Sequence, residues 1–480
     1  MADGAGVADH PARQLEGLPG AGDAATVTAE RILVVGGDAA GMSAAHQMLR
    51  TARRTGRTLE VTVLEAGQFT SYSACGIPYL VSGEVDELDD LVARTPEQHR
   101  AAGIDLRTGQ RVTRLDLDAR VAEVEGGDDV AFDQVVVATG ACPRMPQWTR
   151  LPDGAPVGGV RPASTLEDAR AWAQELAPGE RVVVAGGGYI GVEMVEAAVR
   201  RGLQVTLVTR SRVLSTFAPE VGAEVARGMR EVGVEVVEHA AVTDLEVEDG
   251  RVAAVRLRER SVPTDHVVVA LGVVPATDLL AHTDLLSERG TLRPDETGRV
   301  APGVWAAGDC CEVRTRDGAW TYAPLGTHAN KAGRALGDQV AGGDLTFPGV
   351  LGTAITRFAV GEVHLEVART GILDHQVAAP VDPVTVVTRG TTASGYMPEA
   401  APITIRVSAD RVSRRLLSVE VAGGPGAGKR VDAAAAVLWL RGSVDDLAWM
   451  DLAYAPPVAT AWEVLQIAAR RVAELIDQPG

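Results

Sequence analysis

The chain has 480 residues, 46% hydrophobic and 23% charged, with a formal net charge of −18 and a pI near 5.0. So large an acidic excess excludes nucleic acid and anionic membrane as default partners, because both would repel it. No apolar run approaches the roughly 18 residues of a membrane-spanning helix. Four cysteines in so long a chain suit a reducing cytoplasm, not a disulfide scaffold.

Residues 1–28 are rich in Gly, Ala and Asp and lack a hydrophobic stretch of the secretory kind, so they read as a disordered tail. Arg31-Ile-Leu-Val-Val then predicts a strand, Gly36-Gly37-Asp38-Ala39-Ala40-Gly41 a tight turn, and the sequence from about Ala40 to Arg54 a helix. Such a unit aims backbone N–H groups and a helix N-terminus at a pyrophosphate. The run Val61–Leu64 is a second strand ending in Glu65, an acid placed to accept a ribose hydroxyl. Asp133-Gln-Val-Val-Val-Ala138-Thr139-Gly140 reads as another strand entering a glycine turn. The Pro- and Gly-rich stretch from Pro143 to Pro162 predicts a crossover.

The same logic returns about 150 residues later. A strand over 181–185 runs into Gly186-Gly187-Gly188-Tyr189-Ile190-Gly191, a helix from about Ile190 to Arg200 and a strand over 204–208. Two such units read as an internal duplication that binds two dinucleotides. The second strand ends in Thr209-Arg210-Ser211-Arg212, with no acid for a ribose 2′-hydroxyl, and Arg suits a 2′-phosphate. Gly303-Val-Trp-Ala-Ala-Gly308-Asp309 is a strand closing on an acid. Beyond about residue 350, strands near 353–358, 362–368, 402–408 and 416–422 precede helices near 430–441 and 460–476. The predicted organisation is α/β, with two Rossmann-like domains and a C-terminal α+β domain. The first dinucleotide domain spans 29–150 and 276–350, the second 151–275, and the α+β domain 351–480.

Further stretches join the glycine motifs in order: Ser71-Tyr-Ser-Ala-Cys75-Gly-Ile-Pro78-Tyr79, Pro324-Leu-Gly-Thr-His328-Ala-Asn-Lys, Lys429-Arg-Val-Asp432 and Leu452-Ala-Tyr454-Ala-Pro-Pro457. With this set the chain resembles the FAD-dependent pyridine-nucleotide disulfide oxidoreductases over nearly everything after residue 30. Within them it resembles the single-cysteine branch of coenzyme A disulfide reductases, NADH oxidases and NADH peroxidases. The resemblance implies FAD in the first motif, with Gly36, Gly41 and Gly140 around it, Glu65 on the adenosine ribose and Asp309 on the ribityl chain. It implies the nicotinamide cofactor in the second, held by Gly186, Gly188 and Gly191. Tyr189 would cover the flavin, and Arg210 and Arg212 would favour NADPH over NADH. It also implies a homodimer, with Tyr454 near the other subunit's reactive cysteine.

Two-cysteine disulfide reductases carry C-x-x-x-x-C; here Leu80 takes the second place. Cys75 would therefore cycle against an external disulfide, persulfide or oxygen, as a mixed disulfide or a sulfenic acid. Gly76 and Pro78 predict a helix start whose dipole favours the thiolate. Cys142, Cys310 and Cys311 have no redox or metal spacing and are expected in the core, and the histidines form no metal-ligand cluster. Ala39 stands where NADH peroxidases and many oxidases carry His, which argues against peroxide chemistry. Ser43, Gln47, Arg50, Ser71, His328, Tyr396 and Tyr454 fall where coenzyme A disulfide reductases contact substrate. Tyr396 and Tyr454 could donate to a leaving thiolate. Ala74, Met397 and Trp462 remove an amide, a phenol and a cation from that pattern. The implied function is NADPH-dependent reduction of a low-molecular-weight disulfide. Its rivals are an oxygen-reducing NADH oxidase, a persulfide or polysulfide reductase and a non-enzymatic flavin sensor.

Overall fold

The computed structural model describes residues 29–372, 376 and 380–478; the tail expected over 1–28 lies outside them. The first unit is β1 (Glu30–Val35), α1 (Ala39–Thr55) and β2 (Leu59–Glu65), and α2 (Ile77–Ser82) follows. The second is β3 (Arg181–Ala185), α3 (Tyr189–Arg200) and β4 (Gln204–Val208).

Each unit sits in its own sheet. The first sheet runs in the order Arg299–Ala301, Val304–Ala306, Gln134–Val137, β1, β2, Asp105–Thr108. All its pairs are parallel except the first. The second runs Glu235–Val237, β4, β3, His266–Val269, Val160–Arg161 and is parallel throughout. Parallel strands covered on both faces need continuous apolar runs, and β1, β3 and Gln134–Val137 supply them.

Helix α4 (Gly326–Val340) closes the first unit by lying against α1. A Cβ on Gly333 would stand 2.2 Å from Ala40 O, and one on Gly337 2.3 Å from Ala44 O. The close approach thus requires glycine at both positions. Helix α2 packs the other way. Ile77, Leu80 and Val81 join the core that holds Val192, Met194 and Val195 of α3.

The C-terminal part is a five-stranded antiparallel sheet, in the order β5 (Ala354–Val360), Val363–Gly371, Leu416–Gly423, Pro402–Asp410, Pro383–Thr391. Helices Val431–Trp439, Val444–Trp449 and Val464–Asp477 cover one core with it. An ion-pair cluster ties this part to both glycine units. Arg357 on β5 donates to Glu196 of α3 at 2.6 Å and to Glu84, just past α2, at 2.8 Å. Buried Glu196 also accepts the Ala359 amide at 2.8 Å. The helix that follows Cys75 is thereby fixed against the second glycine unit.

Candidate active site

The two glycine turns have nearly the same backbone. Gly36 sits at φ +106° and Gly186 at φ +117°, a region that disfavours side chains. A Cβ at Gly36 would stand 2.2 Å from Ala138 O, and one at Gly186 2.1 Å from Ala270 O. Gly41 and Gly191 close on the carbonyls of Gly36 and Gly186 with the same 1.9 Å clearance for a Cβ. Gly140 is itself left-handed at φ +68°.

Side chains then separate the turns. The Glu65 carboxylate accepts the Gly37 and Gly67 amides, each at 2.7 Å, and keeps lone pairs for hydroxyl donors. Thr209 stands against Gly187 as Glu65 stands against Gly37: the two Cβ clearances are 3.0 and 2.9 Å. Neither Arg210 nor Arg212 has an ion-pair partner among the described residues, and Nη1 of Arg212 is buried without one. Tyr189 packs edge-on against Phe217 at 5.8 Å, its hydroxyl buried and unpartnered.

Cys75 lies in the one-turn helix Ala74–Gly76 that leads into α2. The loop before it is pinned to a neighbouring segment: Ser73 N donates to Leu91 O and Ala93 N to Ser71 O, both at 2.8 Å. Ser71 adopts φ +49° to make this possible. A Cβ at Gly76 would stand 2.3 Å from a Leu91 methyl, so a side chain there would have to displace the end of Leu91. Cys75 is free and reaches the surface, and buried Leu80 serves the core where a second thiol would lie.

The electrostatics correct the expectation of a thiolate promoted by the helix. Partial burial of the thiol pushes Cys75 up, and the Glu193 and Asp309 carboxylates add to the effect. So short a helix brings too little dipole to offset them. Glu193, one turn past Tyr189 on α3, was not among the sequence candidates. Thr356 Oγ1 of β5 donates to it at 2.9 Å. Burial, with Glu196 nearby, raises its carboxyl to about 7. Asp309, at the end of Val304–Ala306, is raised by burial to about 6.

The substrate candidates fall into three groups. Ser43 Oγ donates to Asn330 at 2.9 Å across α1 and α4, and His328 at the start of α4 meets Ala323 O at 3.1 Å. Gln47, a substrate candidate on α1, is buried. Its amide nitrogen donates to Thr51 and Asp338, and its oxygen accepts the exposed Arg50 guanidinium at 2.8 Å. It therefore holds Arg50 and has little left for a ligand. Tyr396 and Tyr454 are exposed, and neither bonds to the Cys75 loop within the chain. Of the other cysteines, Cys310 and Cys311 are buried as expected, whereas Cys142 is exposed. Among the described residues no group of His, Cys, Asp or Glu could hold a metal, and no helix is long and apolar enough to cross a membrane.

The structure thus holds two glycine turns of the dinucleotide-binding kind and one anchored, free thiol. The chain belongs to the pyridine nucleotide-disulphide oxidoreductase family, whose model matches residues 30–333. It is 33% identical over 450 residues to the NAD(P)H sulfur oxidoreductase (CoA-dependent) of Pyrococcus abyssi, covering 92% of this chain and 97% of that protein. It is 28% identical over 453 residues to an NADH oxidase of Methanocaldococcus jannaschii, covering 92% and 98%. Among solved structures, an NAD-dependent persulfide reductase from A. fulgidus superposes with a TM-score of 0.84 at 30% identity, covering 93% of this chain and 84% of that one. The family binds FAD and a nicotinamide cofactor. The first cradle fits FAD: its side-chain-free approach at Gly36 and Gly41, the open lone pairs of Glu65 and the Asp309 carboxylate suit a pyrophosphate, a ribose and a ribityl chain.

Proposed function

We propose that this protein is an NADPH-preferring flavoenzyme that reduces a low-molecular-weight disulfide of the coenzyme A type through Cys75. The observation that carries this reading is the anchored, surface-reaching Cys75 with core Leu80 in the second cysteine's place. A thiol so placed must react with an acceptor from outside the chain. The Cys75 thiolate attacks one sulfur of the disulfide, a Cys75 Sγ–S bond forms, the substrate S–S bond breaks, and one thiolate leaves. Bound FAD supplies the two-electron connection between the nicotinamide and this mixed disulfide. Overall, RSSR, NADPH and H⁺ give two RSH and NADP⁺.

Arg50, held by Gln47, and His328 are read as substrate contacts beside Ser43 and Ser71. Glu193 is a proton-holding group within electrostatic reach of Cys75. The preference for NADPH rests on Thr209 replacing an acid and on two unpaired arginines. Tyr396, Tyr454, Trp449, Leu440 and Val458 leave large apolar side chains exposed in the C-terminal part. We read them as the seat of a second copy, which would bring Tyr454 toward a thiol site.

A persulfide or polysulfide is a second reading, favoured by the sulfur- and persulfide-reducing relatives. The same thiolate would take sulfane sulfur instead of a thiol group. Mass spectrometry of Cys75 after one turnover without reductant separates the two: a thiol adduct for the first, added sulfur for the second, added oxygen for an oxidase. Cys75→Ser should abolish disulfide reduction and leave NADPH-dependent dye reduction largely intact. Undiminished disulfide turnover in that variant would sink both sulfur readings.

A further inference from the structure

The first glycine turn carries a side chain that the second lacks. Asp38 occupies the position of Gly188, the residue before the helix, where backbone comes nearest a pyrophosphate. A Cβ on Gly188 would meet nothing within 4 Å, so that turn is open. In the first turn the same space holds a carboxyl group that makes no hydrogen bond capping α1.

Two other acids converge there. Glu65 on β2 bonds to the amide of Gly37, the residue next to Asp38. Asp309 follows Gly308, whose Cβ would stand 2.9 Å from the Ala40 side chain of the same turn. The charges acting on Asp38 are these two carboxylates, with no cation among its leading influences; the backbone N–H groups of Tyr72 and Ala39 pull the other way without overcoming burial and Glu65, and nothing offsets the burial of Asp309. The remaining titratable neighbour, the Tyr72 phenol, is pushed up by desolvation and so stays neutral. Burial, reinforced by Glu65, raises the Asp38 carboxyl to about 6 before any ligand arrives.

A pyrophosphate brings two more negative charges to this turn. An ionised Asp38 would repel them, whereas a protonated one offers a phosphate an O–H donor. We infer that Asp38 is a neutral carboxylic acid in the FAD-bound protein, and that FAD binding therefore takes up one proton at Asp38. The inference rests on FAD filling the first cradle and is independent of the substrate reduced at Cys75.

The linkage has a definite sign. Between pH 7 and 8.5 the free protein carries Asp38 ionised and the complex carries it protonated. FAD affinity should then fall roughly tenfold per pH unit. The test is calorimetric titration of the full-length apoprotein with FAD, in phosphate and in Tris, whose ionisation enthalpies differ. Wild type should take up about one proton at pH 7.5. Asp38→Asn keeps a donor without a charge, so uptake should vanish while affinity at pH 8 holds or improves and becomes flat with pH. Asp38→Ser is the second variant, with the same expected loss of uptake. Absence of uptake in wild type, or equal uptake in both variants, would overturn the inference. So would loss of FAD binding at every pH in both variants with native circular dichroism, since ionised Asp38 would then be required. Failure of wild type itself to bind FAD would remove the flavin assignment along with it.

Discussion

The two glycine units share a frame down to their entrances, and they diverge in the side chains around the glycine turns. Arg31 at the start of β1 clasps Asp133 through Nη2 at 2.8 Å, and Arg181 at the start of β3 clasps Asp265 in the same way at 2.6 Å. Each arginine amide also donates to its aspartate, at 2.8 and 2.9 Å. Both aspartates are held down near 2, first by the arginine side-chain hydrogen bond. Against this shared frame, Asp38 faces Gly188, Ala39 faces Tyr189, Ser43 faces Glu193, and Glu65 faces Thr209. The backbone decides that a dinucleotide can sit in each unit. On the function proposed above, these four pairs select which one, and what lies over the reacting groups.

The strongest way to break that division is to fill the last glycine of each turn. A Cβ at Gly41 or Gly191 would stand 1.9 Å from a backbone carbonyl. Relieving such a contact costs roughly 1–3 kcal/mol, enough for about a tenfold to hundredfold loss of affinity. Gly41→Ala should purify with little flavin. Gly191→Ala should remain yellow and show a raised KM for NADPH. Flavin content and steady-state kinetics check both, and loss of FAD from the Gly191 variant would refute the assignment of one cofactor per turn.

The Glu65–Thr209 pair governs the next effect. Arg210→Glu removes a phosphate-binding cation and supplies an acceptor for a 2′-hydroxyl; Thr209→Glu places that acceptor where Glu65 sits in the first unit. A charge-assisted contact is worth about 1.5–3 kcal/mol, so the ratio of kcat/KM for NADPH over NADH should fall at least about tenfold in Arg210→Glu. Thr209→Glu should move it the same way by less, since both arginines remain. An unchanged ratio in both variants would place the selectivity elsewhere.

Much of the frame was legible from the amino acids, because strand, glycine turn and helix are local patterns. Strands 181–185 and 204–208 match the expected bounds, and the helices extend by a residue or so. The strand Pro383–Thr391 was missed: it opens on Pro and lies at the edge of its sheet, where the usual strand signals weaken. Helix Val444–Trp449 is under two turns long. Its capping box, Ser443 with Asp446, was nevertheless readable. The burial of Gln47 was not legible because its partner Asp338 lies 291 residues away. No local pattern reports such a contact. Glu193 was overlooked although it stands four residues after Tyr189 on one helix face, a spacing that brings two side chains together.

Glu193 and its counterpart Ser43 give the finest test of the comparison. Both stand two residues past the closing glycine, yet only Glu193 is among the groups that act on Cys75. Its carboxyl titrates near 7, so as pH rises through neutrality it gains charge and makes the thiol harder to ionise. Glu193→Gln removes that charge and leaves the desolvation in place. Cys75 should then ionise at lower pH, though still above an ordinary thiol. At pH 7.5 its alkylation by iodoacetamide should quicken severalfold, because the thiolate is the reacting form. Ser43→Ala, which removes no charge, should leave the alkylation profile where it is. An unmoved profile in Glu193→Gln, or one moved toward higher pH, would show that Glu193 does not act on the thiol, and the second helix would then differ from the first in its cofactor contacts alone.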